Sequence, residues 1–204
     1  FANKINCPVY ATKFAKLLIE NRLKEFNKIE GFILNELSLD RELILKNFKL
    51  NFIPTTHSIP EANAIVIQTS YGSLLHTADW KIDKSPTLGN SFSTNEFEKI
   101  GNDGLLALIG DSTNANVPGT SKSENDVRKE LTKVFSRFSN RIVVTCFSSN
   151  IARMKNIIYA AKKNKRKVAL VGRSMKKNIE SAKKCGYLND NEVFINEDEA
   201  SFIP

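Results

Sequence analysis

Apolar positions along this chain change their spacing several times, and each change predicts an element. Phe14, Leu17, Leu18 and Leu23 recur at helical spacing, which predicts a helix from a Thr12 cap to about Phe26. Pro8-Val9-Tyr10 before it predicts a short strand end, and Asn51-Phe52-Ile53-Pro54 predicts an extended approach to His57. Ala64-Ile65-Val66-Ile67-Gln68-Thr69, the turn Ser70-Tyr71-Gly72 and Ser73-Leu74-Leu75-His76 together predict a β-hairpin. Residues 83–93 are rich in Ser, Thr, Asn, Gly and Pro and predict a loop. Leu105-Leu106-Ala107-Leu108-Ile109 is a continuous apolar run, which predicts a fully buried strand.

The texture changes after Pro118-Gly119. Ser123 with Asp126 three residues on predicts a helix start, and the helix is expected to reach about Phe138. Arg141-Ile142-Val143-Val144-Thr145-Cys146-Phe147 and Lys167-Val168-Ala169-Leu170-Val171 predict strands. Between them, Ile151, Met154, Ile157, Ile158 and Ala161 mark one face of a helix. A last helix is expected from about Lys176 to Cys185, with Gly186 closing it. The alternation of helix and strand predicts a parallel α/β sheet, and a domain boundary falls near residue 120. Internal repeats and low-complexity tracts are absent from the sequence.

Charge sharpens that boundary. Residues 1–120 hold 12 Lys+Arg against 13 Asp+Glu, and residues 121–204 hold 18 against 9. The net charge of +8 therefore sits in the second part, which points to a polyanion and, first among these, nucleic acid. A solubilising Lys-rich surface is the plainer alternative. The 204 residues suit one large or two small soluble domains. No apolar run approaches the ~18 residues of a membrane helix, so no membrane partner is expected. Cys7, Cys146 and Cys185 share no metal spacing, and their scatter suggests core thiols in a reducing cytoplasm. No signal peptide is visible, and Phe1 in place of Met suggests that a native start lies upstream.

Three polar residues are expected to follow three apolar strands: His57, Asp79 and Asp111. A neutral imidazole and carboxylates brought to one sheet edge suit zinc, and sheet edges are where α/β sites form. Taken singly, each has an ordinary role, a structural histidine or a turn-forming aspartate. With only two histidines in the chain, a two-metal site is left incomplete. In the second part, Ser148-Ser149-Asn150 and Gly172-Arg173-Ser174 each join a predicted strand to a predicted helix. Free amides at two helix starts, hydroxyls and one guanidinium suit phosphate oxygens. Simple capping by Ser and Asn explains either loop alone. The run Lys162-Lys163-Asn164-Lys165-Arg166-Lys167 lies at a helix C-terminus, where cations are favoured by the dipole in any case.

Five motifs in order carry a resemblance: Thr56-His57-Ser58-Ile59-Pro60-Glu61, His76-Thr77-Ala78-Asp79-Trp80-Lys81, Gly110-Asp111-Ser112-Thr113-Asn114, Cys146-Phe147-Ser148-Ser149-Asn150 and Gly172-Arg173-Ser174-Met175. The chain resembles ribonuclease J, a bacterial metallo-β-lactamase-fold nuclease with an inserted β-CASP domain, from Pro8 to about Leu188. The resemblance implies an α/β fold: the C-terminal part of a metallo-β-lactamase αββα sandwich over residues 1–120, then the start of a Rossmann-like parallel β-CASP domain over 121–204. It also implies a cytoplasmic ribonuclease of RNA decay and maturation, rRNA processing included. Such an enzyme acts as endonuclease and 5′-to-3′ exonuclease on single-stranded RNA, and two Zn2+ ions activate water. By the same resemblance His57 is a zinc ligand, Asp79 bridges both ions, and Asp111 opens the β-CASP motif series as an acidic catalytic residue. His76 orients the Asp79 strand end. Ser148, Ser149, Asn150, Arg173 and Ser174 line the RNA channel. The family often forms homodimers or tetramers.

The departures from the family are specific. Its His-x-His-x-Asp-His motif is expected upstream of Phe1, and its later histidines beyond Pro204. The chain therefore reads as an internal segment, inactive alone. Ala78 stands where glycine is more usual. The competing reading is a non-catalytic RNA-binding module that kept the fold without a full metal site. A metallo-β-lactamase-fold hydrolase of small molecules is disfavoured by the charge of the second part and its paired loops.

Overall fold

The computed structural model describes residues 4, 6–26, 31–189, 191 and 194–203. They fall into two compact units, one of residues 39–127 and one that joins 1–38 to 128–204.

The unit of residues 39–127 is built on a five-stranded sheet. In chain order its strands are β3 (Leu43–Leu45), β4 (Phe48–Pro54), β5 (Asn63–Thr69), β6 (Gly72–His76) and β7 (Ala107–Ile109), and they lie side by side in that sequence. Pairing is antiparallel except between β6 and β7, which run parallel. The predicted hairpin is β5–β6, closed by the Thr69 hydroxyl, which donates to the Gly72 carbonyl and accepts from the Tyr71 amide. Gly72 is required there: its φ is +133°, and a Cβ would meet Leu106 Cγ at 2.7 Å. Alternation along β5 buries Ala64 and Val66, which pack with Ile53 of β4 and Leu75 of β6. Phe97, Ile100 and Leu105 cover this cluster. The first two belong to α2 (Asn95–Asp103), a helix on the crossover between β6 and β7 that the polar texture of its surroundings hid in the sequence.

The expected buried strand at 105–109 needs correction. β7 forms, but all three of its residues are exposed, Leu108 at 63%. A continuous apolar run buries both faces only when elements lie on both, and among the described residues β7 is an edge strand with one neighbour, β6.

In the other unit, β1 (Val9–Ala11) and β2 (Leu34–Glu36) pair in parallel on either side of α1 (Lys13–Glu25). Thr12 stands at the N-cap as expected, though its side chain makes no capping hydrogen bond. α4 (Ile151–Lys163) buries all five residues of the predicted apolar face. α5 (Arg173–Lys184) starts three residues earlier than expected. It ends in a Schellman pattern, with the Tyr187 amide on the Ala182 carbonyl, the Gly186 amide on the Lys183 carbonyl and Gly186 at φ +78°. α1 packs on α5: Phe14 is fully buried and meets the Tyr187 ring edge-on at 6.1 Å, and the Asn21 amide donates to the Ser181 hydroxyl. α3 (Glu124–Ser136) and the short α6 (Glu197–Ala200) complete the elements of the described residues.

The predicted strands at 141–147 and 167–171 are not found as strands. Ala169 makes one isolated parallel bridge to Ile195, whose amide donates to the Val168 carbonyl. A strand is defined by its partner, and no ladder forms at either segment among the described residues. Val143, 85% exposed, lacks the cover that a sheet interior gives. The fold class is α/β as expected, with its parallel pairs at β1–β2 and β6–β7.

Candidate functional site

Strand direction decides where the candidate residues go. β5 runs against both β4 and β6, and β7 runs with β6. The C-terminal ends of β4, β6 and β7 therefore share one sheet edge. His57, Asp79 and Asp111 follow these three ends, three, three and two residues past Pro54, His76 and Ile109.

Two buried threonines stitch the edge together. Thr56, next to His57, bridges Lys81, two residues past Asp79: the Lys81 amide donates to the Thr56 carbonyl at 2.8 Å, and the Thr56 hydroxyl donates to the Lys81 carbonyl. That same hydroxyl accepts from the Asp83 amide. Thr77, 2% exposed, joins the other pair of ends. Its amide donates to the Ile109 carbonyl, and its hydroxyl accepts from the Asp111 amide at 3.0 Å.

The Asp111 carboxyl has hydrogen-bond partners of its own, the amide and hydroxyl of Thr113. The Thr113 hydroxyl, then the Thr113 amide, hold the Asp111 carboxyl below its ordinary value; the Trp80 amide and the charge of His57 add to this, against the opposing effect of desolvation. The ionised form of Asp111 is thus favoured. Asp79 itself is exposed. His57 Nδ1 lies 3.2 Å from the Ser58 hydroxyl. His76 turns its ring to the local backbone, where Nδ1 accepts the Ala78 amide at 3.0 Å. That contact fixes the approach to Asp79.

Ala78 has φ +51°, a left-handed conformation that costs an L-residue about 1–2 kcal/mol. Glycine enters it freely. Ala78→Gly is expected to raise unfolding stability by roughly 0.5–1 kcal/mol, after the greater entropy of the unfolded glycine chain is subtracted. Urea denaturation at neutral pH checks this, and an unchanged midpoint would mean the turn carries no strain.

Beneath this edge lies a charged cluster that the sequence reading missed. Asp83, 2% exposed, accepts the Ser85 amide on one oxygen and the Glu124 amide on the other, both at 2.9 Å. Lys81 Nζ lies 3.6 Å from Asp83 and 3.7 Å from the buried Glu124. The Ser123 hydroxyl donates to the Ser85 carbonyl. The start of α3 is therefore anchored on the loop that follows Asp79. In sequence Asp83 opens a turn-rich loop, and nothing local shows that its partner is 41 positions away.

The two candidate phosphate loops belong to the unit of 1–38 and 128–204. Asn150 is the N-cap of α4, and its side-chain oxygen accepts the Arg153 amide at 2.9 Å, so that oxygen serves the helix. Ser148 accepts a hydrogen bond from Asn178 of α5 at 3.0 Å, which ties this loop to α5. Arg173 and Ser174 form the exposed first turn of α5, after Gly172 at φ +100°. Ser149 lies between Ser148 and the cap, half-buried.

A metal needs three or more protein donors in a closed structural or catalytic zinc shell. Among the described residues, no group of three His, Cys, Asp or Glu side chains is arranged to hold one. His57, Asp79 and Asp111 do not by themselves fit a complete metal site. No helix among the described residues is long and apolar enough to cross a membrane.

Comparison with known proteins gives a consistent result. Residues 139–204 match the β-CASP domain of ribonuclease J. The chain is 36% identical over 203 residues to ribonuclease J2 of Bacillus subtilis, covering 99% of this chain and 37% of that protein. It is 37% identical over 201 residues to ribonuclease J of Sinorhizobium meliloti, covering 98% and 36%. Against ribonuclease J of Thermus thermophilus it is 36% identical over 206 residues, covering 100% and 36%. The chain thus spans a little over a third of the length of these relatives. A solved protein of unknown function from Enterococcus faecalis shares the fold, with a TM-score of 0.64 at 15% identity over 94% of this chain and 50% of that one. The chain is thus similar to ribonuclease J proteins along nearly its whole length, and its residues 139–204 match the β-CASP domain of that family.

Proposed function

We propose that this chain is a segment of a metal-dependent ribonuclease of RNA decay and maturation. In this reading residues 1–120 belong to the metallo-β-lactamase domain and 121–204 to the β-CASP domain. The substrate is single-stranded RNA, cut internally and from the 5′ end. The observation that carries the reading is the placement of His57, Asp79 and Asp111 past three strand ends of one sheet edge, in a chain similar to proteins named ribonuclease J. His57 and Asp79 would contribute to a two-zinc site completed by residues of a longer protein, and no reaction step is assigned to the metal. Arg173, Ser174, Ser148 and Ser149 would contact RNA phosphates.

The incomplete donor set favours a second reading for the chain alone, RNA binding without cleavage. The two separate cleanly. This chain is expected to bind a 5′-monophosphorylated single-stranded RNA in a salt-dependent way and to leave it intact. Arg173→Ala should flatten the plot of log affinity against log salt by ~0.7, the value for one lost phosphate contact on a single strand. Equal slopes would remove Arg173 from the interface. A longer protein that carries this segment should degrade the same RNA; one that binds it and never cuts it would establish the binding module instead.

A further inference from the structure

The solvent face of α4 is basic and carries an aromatic ring. The helix buries Ile151, Ala152, Met154, Asn156, Ile157, Ile158, Ala160 and Ala161. What it leaves exposed toward its C-terminal half is Lys155, Tyr159, Lys162 and Lys163, which lie on one face at helical spacing. The helix contains no acidic residue. Lys162 and Lys163 answer the negative end of the helix dipole. Lys155 lies two turns from that end, where the dipole has faded.

Tyr159 gives this face its second property. Its ring is 41% exposed and has two cations beside it: the Arg128 guanidinium carbon of α3 at 4.9 Å from the ring centroid, and Lys163 Nζ at 5.6 Å. Hydrogen bonds at the end of α4 tie it to α3 and to the segment that follows α3. Asn164 caps α4 and donates to the Thr132 carbonyl of α3 at 3.2 Å, and the Arg166 guanidinium donates to the Phe138 and Asn140 carbonyls. Arg166 thus serves the fold, whereas the cations beside Tyr159 sit on an exposed ring.

An aromatic ring between cations on a fixed surface is what binds unstacked bases and the phosphates that flank them. We propose that Lys155, Tyr159, Lys162 and Lys163 of α4, with Arg128 of α3, form a stacking surface for single-stranded RNA, distinct from the loops at Ser148 and Arg173. At 1.5 Å per residue, Tyr159 lies ~13 Å along α4 from the Asn150 cap, and Lys163 ~20 Å. RNA that reached both places would be held by two contacts spaced along one helix. The proposal rests on the reading of RNA as the ligand of this chain and adds a second place where it is held.

The test uses the 204-residue chain and a labelled oligouridine of about 12 nucleotides, within the site sizes of single-strand binders. Tyr159→Ala should weaken binding about tenfold, since one lost base stack is worth that much, and Tyr159→Phe should restore it. The salt slope should be unchanged in Tyr159→Ala and lower by ~0.7 in each of Lys155→Gln and Lys163→Gln. RNA carrying 4-thiouridine should crosslink under ultraviolet light to the peptide that contains Tyr159. Thermal melts confirm that the variants fold; if Tyr159→Ala does not, the two lysine variants and the crosslink decide alone. Affinity and slope within twofold of wild type in every α4 variant, or crosslinks confined to the Ser148 and Arg173 loops, would overturn the proposal while leaving RNA binding intact. Failure of the wild-type chain to bind any RNA would instead overturn the RNA reading beneath it. Loss of binding to phosphatidylserine vesicles in Tyr159→Ala, with RNA binding unchanged, would reassign the face to a lipid surface.

Discussion

Asp83→Ala is expected to lower unfolding stability by about 3 kcal/mol at neutral pH and to loosen the start of α3. The side chain is almost fully buried, and its two oxygens accept the amides of Ser85 and Glu124. Removal leaves two amides without acceptors, at about 1–3 kcal/mol for each buried group that water cannot reach. It also leaves Lys81 facing Glu124 alone, and breaking one side of a buried ionic cluster costs about 3–5 kcal/mol. Lys81 retains some contact with solvent, which places the expected loss at the lower end. Asp83→Asn keeps one acceptor oxygen and should lose less.

The pH dependence gives an independent check. Burial opposes ionisation of Asp83, yet the Glu124 amide, the Ser123 hydroxyl, the Ser85 amide and the Lys81 charge together hold its carboxyl below the ordinary value. A carboxyl depressed in the folded state contributes fully above its unfolded value of ~3.9, and the contribution is lost as pH falls through the folded value. The gap between wild type and Asp83→Ala should therefore be widest near neutrality and shrink below pH ~4. Denaturation curves from pH 7 down to pH 3 measure it. A loss under ~1 kcal/mol at pH 7, or a gap that widens in acid, would show that the cluster does not hold the loop.

Phe14→Ala should be as damaging, in the other unit. Phe14 is fully buried, and truncation of a buried phenylalanine typically costs about 3–5 kcal/mol, a large fraction of the roughly 5–15 kcal/mol that keeps a domain folded. Its ring meets Tyr187 just beyond α5, and α1 is further tied to α5 by Asn21 on Ser181 and by Glu25 with Lys177 at 2.6 Å. Hydrogen exchange should therefore rise in α5, and not only in α1, when Phe14 is shortened. Amides of the five-stranded sheet at 39–127 should keep their protection. If exchange rises in α1 alone, residues 1–38 are not part of the core that supports α5. Phe14→Leu, which keeps most of the volume, should cost much less.

Much of the local structure was legible in the sequence, because it rests on interactions a few residues apart. Five apolar residues at helical spacing placed α4, and all five are buried. Gly186 marked the end of α5 because a left-handed turn there suits glycine best. The β5–β6 hairpin followed from alternation around Tyr71 and Gly72. Ala78 drew notice as an alanine in a glycine place, and its φ of +51° gives that a physical meaning. The order of motifs was enough to carry the resemblance to ribonuclease J, since motif order is a property of sequence.

What the sequence could not decide was partnership at a distance. Residues 141–147 have strand composition, but a strand exists only where another lies beside it, and among the described residues none is paired there. Residues 105–109 are apolar enough to be buried on both sides, but an edge position leaves β7 exposed. Asn150 has the chemistry to meet phosphate, and local geometry turns its oxygen to the Arg153 amide. Asp83 looked like a loop residue until the fold brought Glu124 to it. His57, Asp79 and Asp111 could be named one by one from their places behind apolar runs. That they share an edge was decided by β5, which reverses the chain between β4 and β6, and by the buried Thr56 and Thr77, whose hydrogen bonds join the end of β4 to the segment after β6 and the end of β6 to that of β7. Local propensity is written in adjacent residues; which edge a side chain reaches depends on strand direction, and that is settled only when the whole sheet assembles.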